Sequence, residues 1–264
     1  NLFSHMPAFL KSKKNLYLLL GIVAVVLALT TGFFVLKEDK DDSDSTKSSS
    51  SQTATTSAET SDEVVSDVRW ETTGEGGWLA LGTAPNCSDP FKIKSPTDIS
   101  KVTSILYPGQ VRGGDYKPHG GFRFDSSKPS EITVTSPISG YVFRGGRYLA
   151  SGELQYTFDI INPCGYMVRL GHLLTLSPTF QAYADNFPPA AEGDSRTEKI
   201  PSYPSVKSGD VIATAVGLTN GTNNAFFDFG VYDLRKQNEA SKSTAYQQAH
   251  SDEKEQSFFS VCWF

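Results

Sequence analysis

The chain has 264 residues and a formal net charge of -5, and its C-terminal three quarters contain no basic run. This charge pattern argues against nucleic acid as a partner. The length admits one or two domains, but the first quarter lacks the composition of a globular one.

Leu16 to Leu36 is a continuous apolar run broken only by Tyr17, Gly21, Thr30, Thr31 and Gly32. At about 1.5 Å per residue such a run reaches roughly 30 Å as a helix, enough to cross a bilayer. Lys11, Lys13 and Lys14 precede it, and Glu38, Asp39, Asp41, Asp42 and Asp44 follow it. Positive charge stays on the cytoplasmic side, so residues 1–15 are expected inside and the rest of the chain outside. A cleaved signal peptide is the competing reading. The run is longer than the roughly 7–15 residues of a signal core, and no clear small-x-small cleavage site follows it. From Asp39 to about Ser66 the chain is rich in Ser, Thr, Asp, Glu and Ala with almost no apolar residues. Such a segment cannot bury enough surface to offset its ordering entropy, so residues 37–67 read as a flexible stalk.

The domain is therefore expected at 68–264. Its cysteines are Cys87, Cys164 and Cys262. An extracytoplasmic location permits one disulfide with one thiol left over, and the sequence does not choose the pair. Strand signals dominate: Glu131 to Thr135, Tyr141 to Phe143, Gln155 to Ile161, Tyr166 to Leu170 and Val211 to Val216. Asn162 to Gly165 and Lys207 to Asp210 read as turns. No segment carries a sustained helical apolar stripe. The polar stretch Glu239 to Glu255 reads as one surface helix or a loop. The apolar close Cys262, Trp263, Phe264 reads as the start of a strand whose partner lies beyond the given sequence, as in a truncated domain. The expected class is mostly β, built from hairpins.

Histidines are few: His5 outside the domain, and His119, His172 and His250 within it. His250 sits in a polar stretch and has little claim to a function. His119 lies beside Gly120 and Gly121, where backbone can approach a ligand. His172 follows a predicted strand. There is no Gly-x-Ser-x-Gly elbow, and Asp228, Phe229, Gly230 matches a kinase tripeptide without the other kinase motifs. Asn86 and Asn220 open glycosylation sequons that matter only in a eukaryote.

Five segments stand in a telling order: His119 to Arg123; Val134 to Val142 with Pro137 and Gly140; Leu170, Gly171, His172, Leu173; Val206 to Ile212 with Gly209; and Phe226, Phe227, Asp228, Phe229, Gly230, Val231. This series resembles the lysostaphin-type M23 zinc peptidases, which cleave peptidoglycan. Their pattern is His-x-x-x-Asp, a Val-x-Ala-Pro-x-x-Gly-x-Val hairpin, Tyr-x-His-Leu, a Gly turn and a final His-x-His strand. The resemblance implies an M23-like, barrel-sandwich hybrid β fold. It implies that His119 keeps a ligand position and that His172 keeps a catalytic one. Arg123 replaces the Asp ligand, Phe226 a catalytic His, and Asp228 a ligand His. The hairpin also resembles biotinyl and lipoyl carrier domains, but no lysine stands at its tip near Gly140.

Zinc catalysis needs three protein ligands and an open position, and a guanidinium has no lone pair to give. The expected cleft residues are thus His119, Arg123, Asp125, His172 and Asp228, with no metal held. Because a ligand Asp has become Arg and a ligand His has become Asp, Arg123 and Asp228 are expected to pair in the metal's place. The alternative is a shifted zinc site of His119, Asp125 and Asp228, with His172 as the catalytic base of an active peptidase. The leading functional expectation is a membrane-anchored pseudoenzyme that binds cell-wall glycan or peptide, or scaffolds a partner protein. A purely structural surface protein is the third reading.

Overall fold

The computed structural model describes residues 67–221 and 223–264, all within the unit Asp62–Phe264. The expected membrane span at 16–36 and nearly all of the expected stalk lie outside the described residues. Among the described residues no helix is long and apolar enough to cross a membrane.

The domain is mostly β, and all its strand ladders are antiparallel. Two small ribbons flank a large sheet: β1 (Arg69–Thr72) pairs β2 (Trp78–Leu81), and β4 (Gln110–Arg112) pairs β5 (Asp115–Lys117). The large sheet draws on β3 (Ser104–Leu106), β6 (Gly120–Arg123), β8 (Gly140–Ala150), β9 (Glu153–Asn162), β10 (Tyr166–Leu176), β11 (Glu198–Lys199) and β14 (Phe226–Asp233). Its order is β11-β8-β9-β10-β14-β6-β3. Three more strands fold back onto it. β12 (Ser205–Val206) pairs β8, and β13 (Val211–Val216) pairs both β10 and β7 (Val134–Thr135). The result is sandwich-like, with a core between the long meander and the returning strands.

Strand alternation sorts the residues onto two faces. On one face Phe158, Ile160, Val168, Leu170, Phe227 and Phe229 are fully buried, together with Val134, Ile212, Val216 and Phe124. The other face changes character along its length. At one end Ile161, Met167 and Tyr232 join a second apolar cluster with Trp70, Tyr141, Phe143, Phe258 and Phe259. Two residues further along each strand it turns polar, with Asp159, Arg169 and Arg144, and then Thr157 and Gln155. This polar half carries the cleft described below.

Several expected elements stand where the sequence places them, and some differ. The run at 141–143 belongs to a strand that continues to Ala150, and the run at 166–170 continues to Leu176. Val211–Val216 matches its expected bounds. The 131–135 stretch opens with a single-turn 3-10 helix (Pro129–Glu131), so only Val134–Thr135 is strand. A short helix, α1 (Pro178–Ala184), was not anticipated; two apolar residues four apart, Phe180 and Ala184, face the core, too few to form a readable stripe. The 239–255 stretch is neither one helix nor a plain loop. It breaks into 3-10 turns and the short helices α2 (Thr244–Ala249) and α3 (Lys254–Ser257). Cys262 to Phe264 is irregular rather than a strand. Trp263 packs its ring on Phe122 and Phe229, so apolar contact and not a β-ladder holds it.

Cys87 and Cys164 form the disulfide, with Cα atoms 5.1 Å apart, and Cys262 is an exposed thiol. A second tether is ionic. The fully buried Asp159 receives Arg144 Nε at 2.6 Å and Arg169 Nη1 at 3.0 and 3.1 Å, while Arg144 Nη1 reaches Glu255 at 2.9 Å. The group ties β8, β9 and β10 to α3. Removing one member of such a buried set strands the others without compensation. Asp159→Ala is therefore expected to lower unfolding stability by about 3–5 kcal/mol in a denaturant titration. A loss within the usual range of surface substitutions would show that the two arginines find other partners.

Candidate functional site

Asp228 sits on β14 between two glycines. Its neighbour on β10 is Gly171 and its neighbour on β6 is Gly121. A β-carbon on Gly121 would lie 2.7 Å from the Phe227 carbonyl oxygen, and one on Gly171 would lie 3.6 Å from Asp228 Oδ2. With no side chain on either flank, the carboxylate stands in an open slot in the sheet face, and imidazoles fill it from two sides.

His119 immediately precedes β6, and its Nε2 lies 3.1 Å from Asp228 Oδ2. His172 lies on β10 where the ladder with β9 slips between Leu170 and Leu173. Its φ is +58°, a left-handed value uncommon for histidine. Two bonds hold that conformation: the Tyr148 hydroxyl accepts the His172 N–H at 3.2 Å, and Gly217 N–H donates to the His172 carbonyl at 2.8 Å. The irregularity turns the ring so that Nε2 lies 3.4 Å from the same Asp228 oxygen.

The proton on His172 can be placed. The side-chain amide of Gln155 donates to the Gly217 carbonyl at 2.7 Å, so its oxygen must face the other way. That oxygen lies 2.5 Å from His172 Nδ1. An amide oxygen only accepts, so Nδ1 carries the hydrogen and Nε2 of the neutral ring is a lone pair aimed at Asp228. Burial pushes the His172 pKa down, and His119, Lys117 and Arg112 add to this against the opposing pull of Asp228. Burial alone would raise the Asp228 pKa, but His119 and Arg112 outweigh it and hold the carboxyl well below its ordinary range.

These residues line a cleft of about 590 Å³ with Arg112, Lys117, Arg123, Arg169, Tyr148 and Phe226. His119, His172 and Asp228 thus meet as the sequence suggested; Arg123 lines the same cleft without touching Asp228, and Asp125 is not among the lining residues. Arg123 pairs across the strands with Phe226, one same-face row from Asp228. Its guanidinium binds Asp125 at 3.2 Å at the exposed rim. The expected Arg123–Asp228 ion pair is not formed: two residues along a strand separate the positions by about 7 Å, and the imidazoles already cover the carboxylate. Asp125 is beyond the end of β6, in a turn, with its carboxylate on Thr103 and Arg123. The alternative ligand set His119, Asp125, Asp228 therefore does not converge. His250 is not among the cleft residues and packs against the rings of Tyr116 and Tyr246.

The zinc ligand set of the resembled peptidases is not reproduced at these positions. Position 123 offers a guanidinium, and among the described residues no three His, Cys, Asp or Glu side chains form a metal-binding group. Sequence reasoning missed Arg112, Tyr148, Gln155, Thr157 and Arg169. A signal for part of this set was present: Gln155, Thr157 and Asp159 alternate with apolar residues along β9 and so share the cleft face.

Two outcomes follow. Arg123→Ala should melt close to the wild type, since its pair is solvent-exposed, whereas Asp228→Ala should melt clearly lower. The reverse order in a thermal scan would return the ion pair to Asp228. The second concerns pH. His172, with its lowered pKa, favours folding only while neutral, so stability falls as pH drops below about 6.5, where the unfolded chain gains a proton that the fold resists. Asp228, with its depressed pKa, contributes stability above about pH 3.9 that is lost progressively below it. Both effects weaken the fold toward acid. Asp228→Asn should flatten the limb below about pH 4, and an unchanged limb would refute the assignment.

In comparisons with known proteins, no family model matches the chain and no curated protein matches it.

Proposed function

We propose that this chain is a surface-displayed, non-catalytic relative of the lysostaphin-type M23 peptidases. In this reading residues 16–36 anchor it in the membrane with its N-terminus inside. Its β domain, of the M23-like barrel-sandwich hybrid kind, uses the cleft to hold cell-wall peptide or glycan, or a partner protein at the wall.

One observation carries the proposal. The cleft at the motif positions is polar, yet its donor set has been spent otherwise. Arg123 is engaged with Asp125, and Asp228 lies between two imidazoles. A hydrolytic zinc site needs three ligands plus a fourth position for water, whereas a recognition cleft needs only fixed donors and acceptors. Such groups are plentiful here and are held by second partners: Gln155 and Tyr148 on His172, and the His119 carbonyl on Arg112.

The test has two arms. Purified without chelators, the full chain is expected to carry no stoichiometric zinc and to leave muropeptides undigested with added zinc. Turnover that requires His172 would establish the peptidase reading instead. On isolated cell wall the chain is expected to be retained and Asp228→Ala to be released. Absence of wild-type retention would remove the wall as the target and favour a purely structural role.

A further inference from the structure

Arg112 ends β4, the first strand of the small ribbon that overhangs the cleft, and its guanidinium is half-buried in the cleft wall. Neutral acceptors alone fix it. Nη1 donates to the Tyr107 carbonyl at 3.3 Å and to Gln110 Oε1 at 3.4 Å, and Nη2 donates to the His119 carbonyl at 3.1 Å. Among the described residues no carboxylate lies within ion-pair distance of it. The other cleft cations are committed: Lys117 to Asp115, Arg123 to Asp125 and Arg169 to Asp159. A guanidinium has five N–H donors, so Nε–H and one Nη2 hydrogen remain for an anion.

The same cleft holds a complementary need. His172 Nε2 and Asp228 Oδ2 are 3.4 Å apart, and with the His172 proton on Nδ1 both are acceptors. His119 Nε2, 3.1 Å from that same oxygen, supplies it with one donor, and the His172 lone pair beside it is left for a donor from a ligand. The cleft therefore presents a preset cation beside a preset acceptor pair. Phe226 adds an apolar wall, its ring 4.6 Å from that of His172. Arg112 Nη2 binds the carbonyl of His119, whose ring reaches Asp228, so the two halves of the cleft adjoin.

We infer that the cleft recognises the C-terminal residue of a peptide, with its carboxylate on Arg112 and its amide N–H on the Asp228–His172 acceptor pair. A C-terminal residue carries both groups on one α-carbon, so a single ligand satisfies both halves of the cleft. Charge-assisted bonds to a guanidinium are the stronger kind and select planar carboxylates. This inference rests on the cleft being a binding site, as proposed above, and adds the class of ligand.

The experiment titrates the full chain with N-acetyl-Ala-Ala as the free acid and as its C-terminal amide, with inorganic phosphate as a control. Binding is read by ligand line broadening in NMR. The free acid is expected to bind at least about tenfold more tightly than the amide. Arg112→Met should abolish that difference, and Arg112→Lys should keep part of it. If Arg112→Met fails to fold, the acid-to-amide ratio in wild type and in Arg112→Lys still decides. Equal binding of acid and amide overturns the carboxylate assignment while leaving the cleft reading in place. Phosphate binding more tightly than the free acid also overturns it, in favour of a general anion site. Binding of neither peptide, together with absent wall retention, overturns both.

Discussion

A carboxylate placed in the middle of a sheet is the constraint around which this domain is arranged. Asp228 belongs to β14, the strand between β10 and β6, and the residues on either side of it in the core-facing direction are Phe227 and Phe229. Burying those rings forces Asp228 onto the opposite face. A charge there requires partners and room. Glycines at 121 and 171 give the room, and His119 and Arg112 give the partners.

That arrangement continues outward as a polar lattice. Asp159 with Arg144 and Arg169 occupies the next same-face row, and Gln155 with Tyr148 occupies the row on the other side of Thr157. Each side chain has at least one defined partner, although the buried Arg144 Nη2 has none, and paired groups of this kind stiffen a fold. The consequence for function is a cleft floor already set before a ligand arrives. Its side chains need little reordering on binding, so less of the interaction is offset by lost freedom.

Much of the fold was legible from local pattern. Val211–Val216 and the Asn162–Gly165 turn follow from β-branched runs and turn residues, because those preferences act within a few residues. Strand ends were less legible. β8 runs through Arg144, Gly145, Gly146 and Arg147, a stretch with no strand propensity, because pairing with β9 and burial of the arginine override it. Of the candidate residues, His119, His172 and Asp228 were legible through motif order. Arg112 was not, since it reaches the cleft only through the ribbon carrying β4 and β5.

The sequence by itself determined the alternation that puts Phe227 and Phe229 on one face and Asp228 on the other. It also determined that position 123 holds a side chain unable to ligate a metal. Which charges meet was decided only by tertiary structure. Residues 119, 121 and 123 share a face, so spacing alone allows either His119 or Arg123 to reach Asp228. The register pairs Gly121 with Asp228 and Arg123 with Phe226, which gives the carboxylate to the histidines and sends the arginine to Asp125. Likewise, three cysteines admit three pairings, and only the approach of Cys87 to the β9–β10 turn selects Cys164. Register and long-range approach come from the packing of the whole sheet, and no local pattern encodes them.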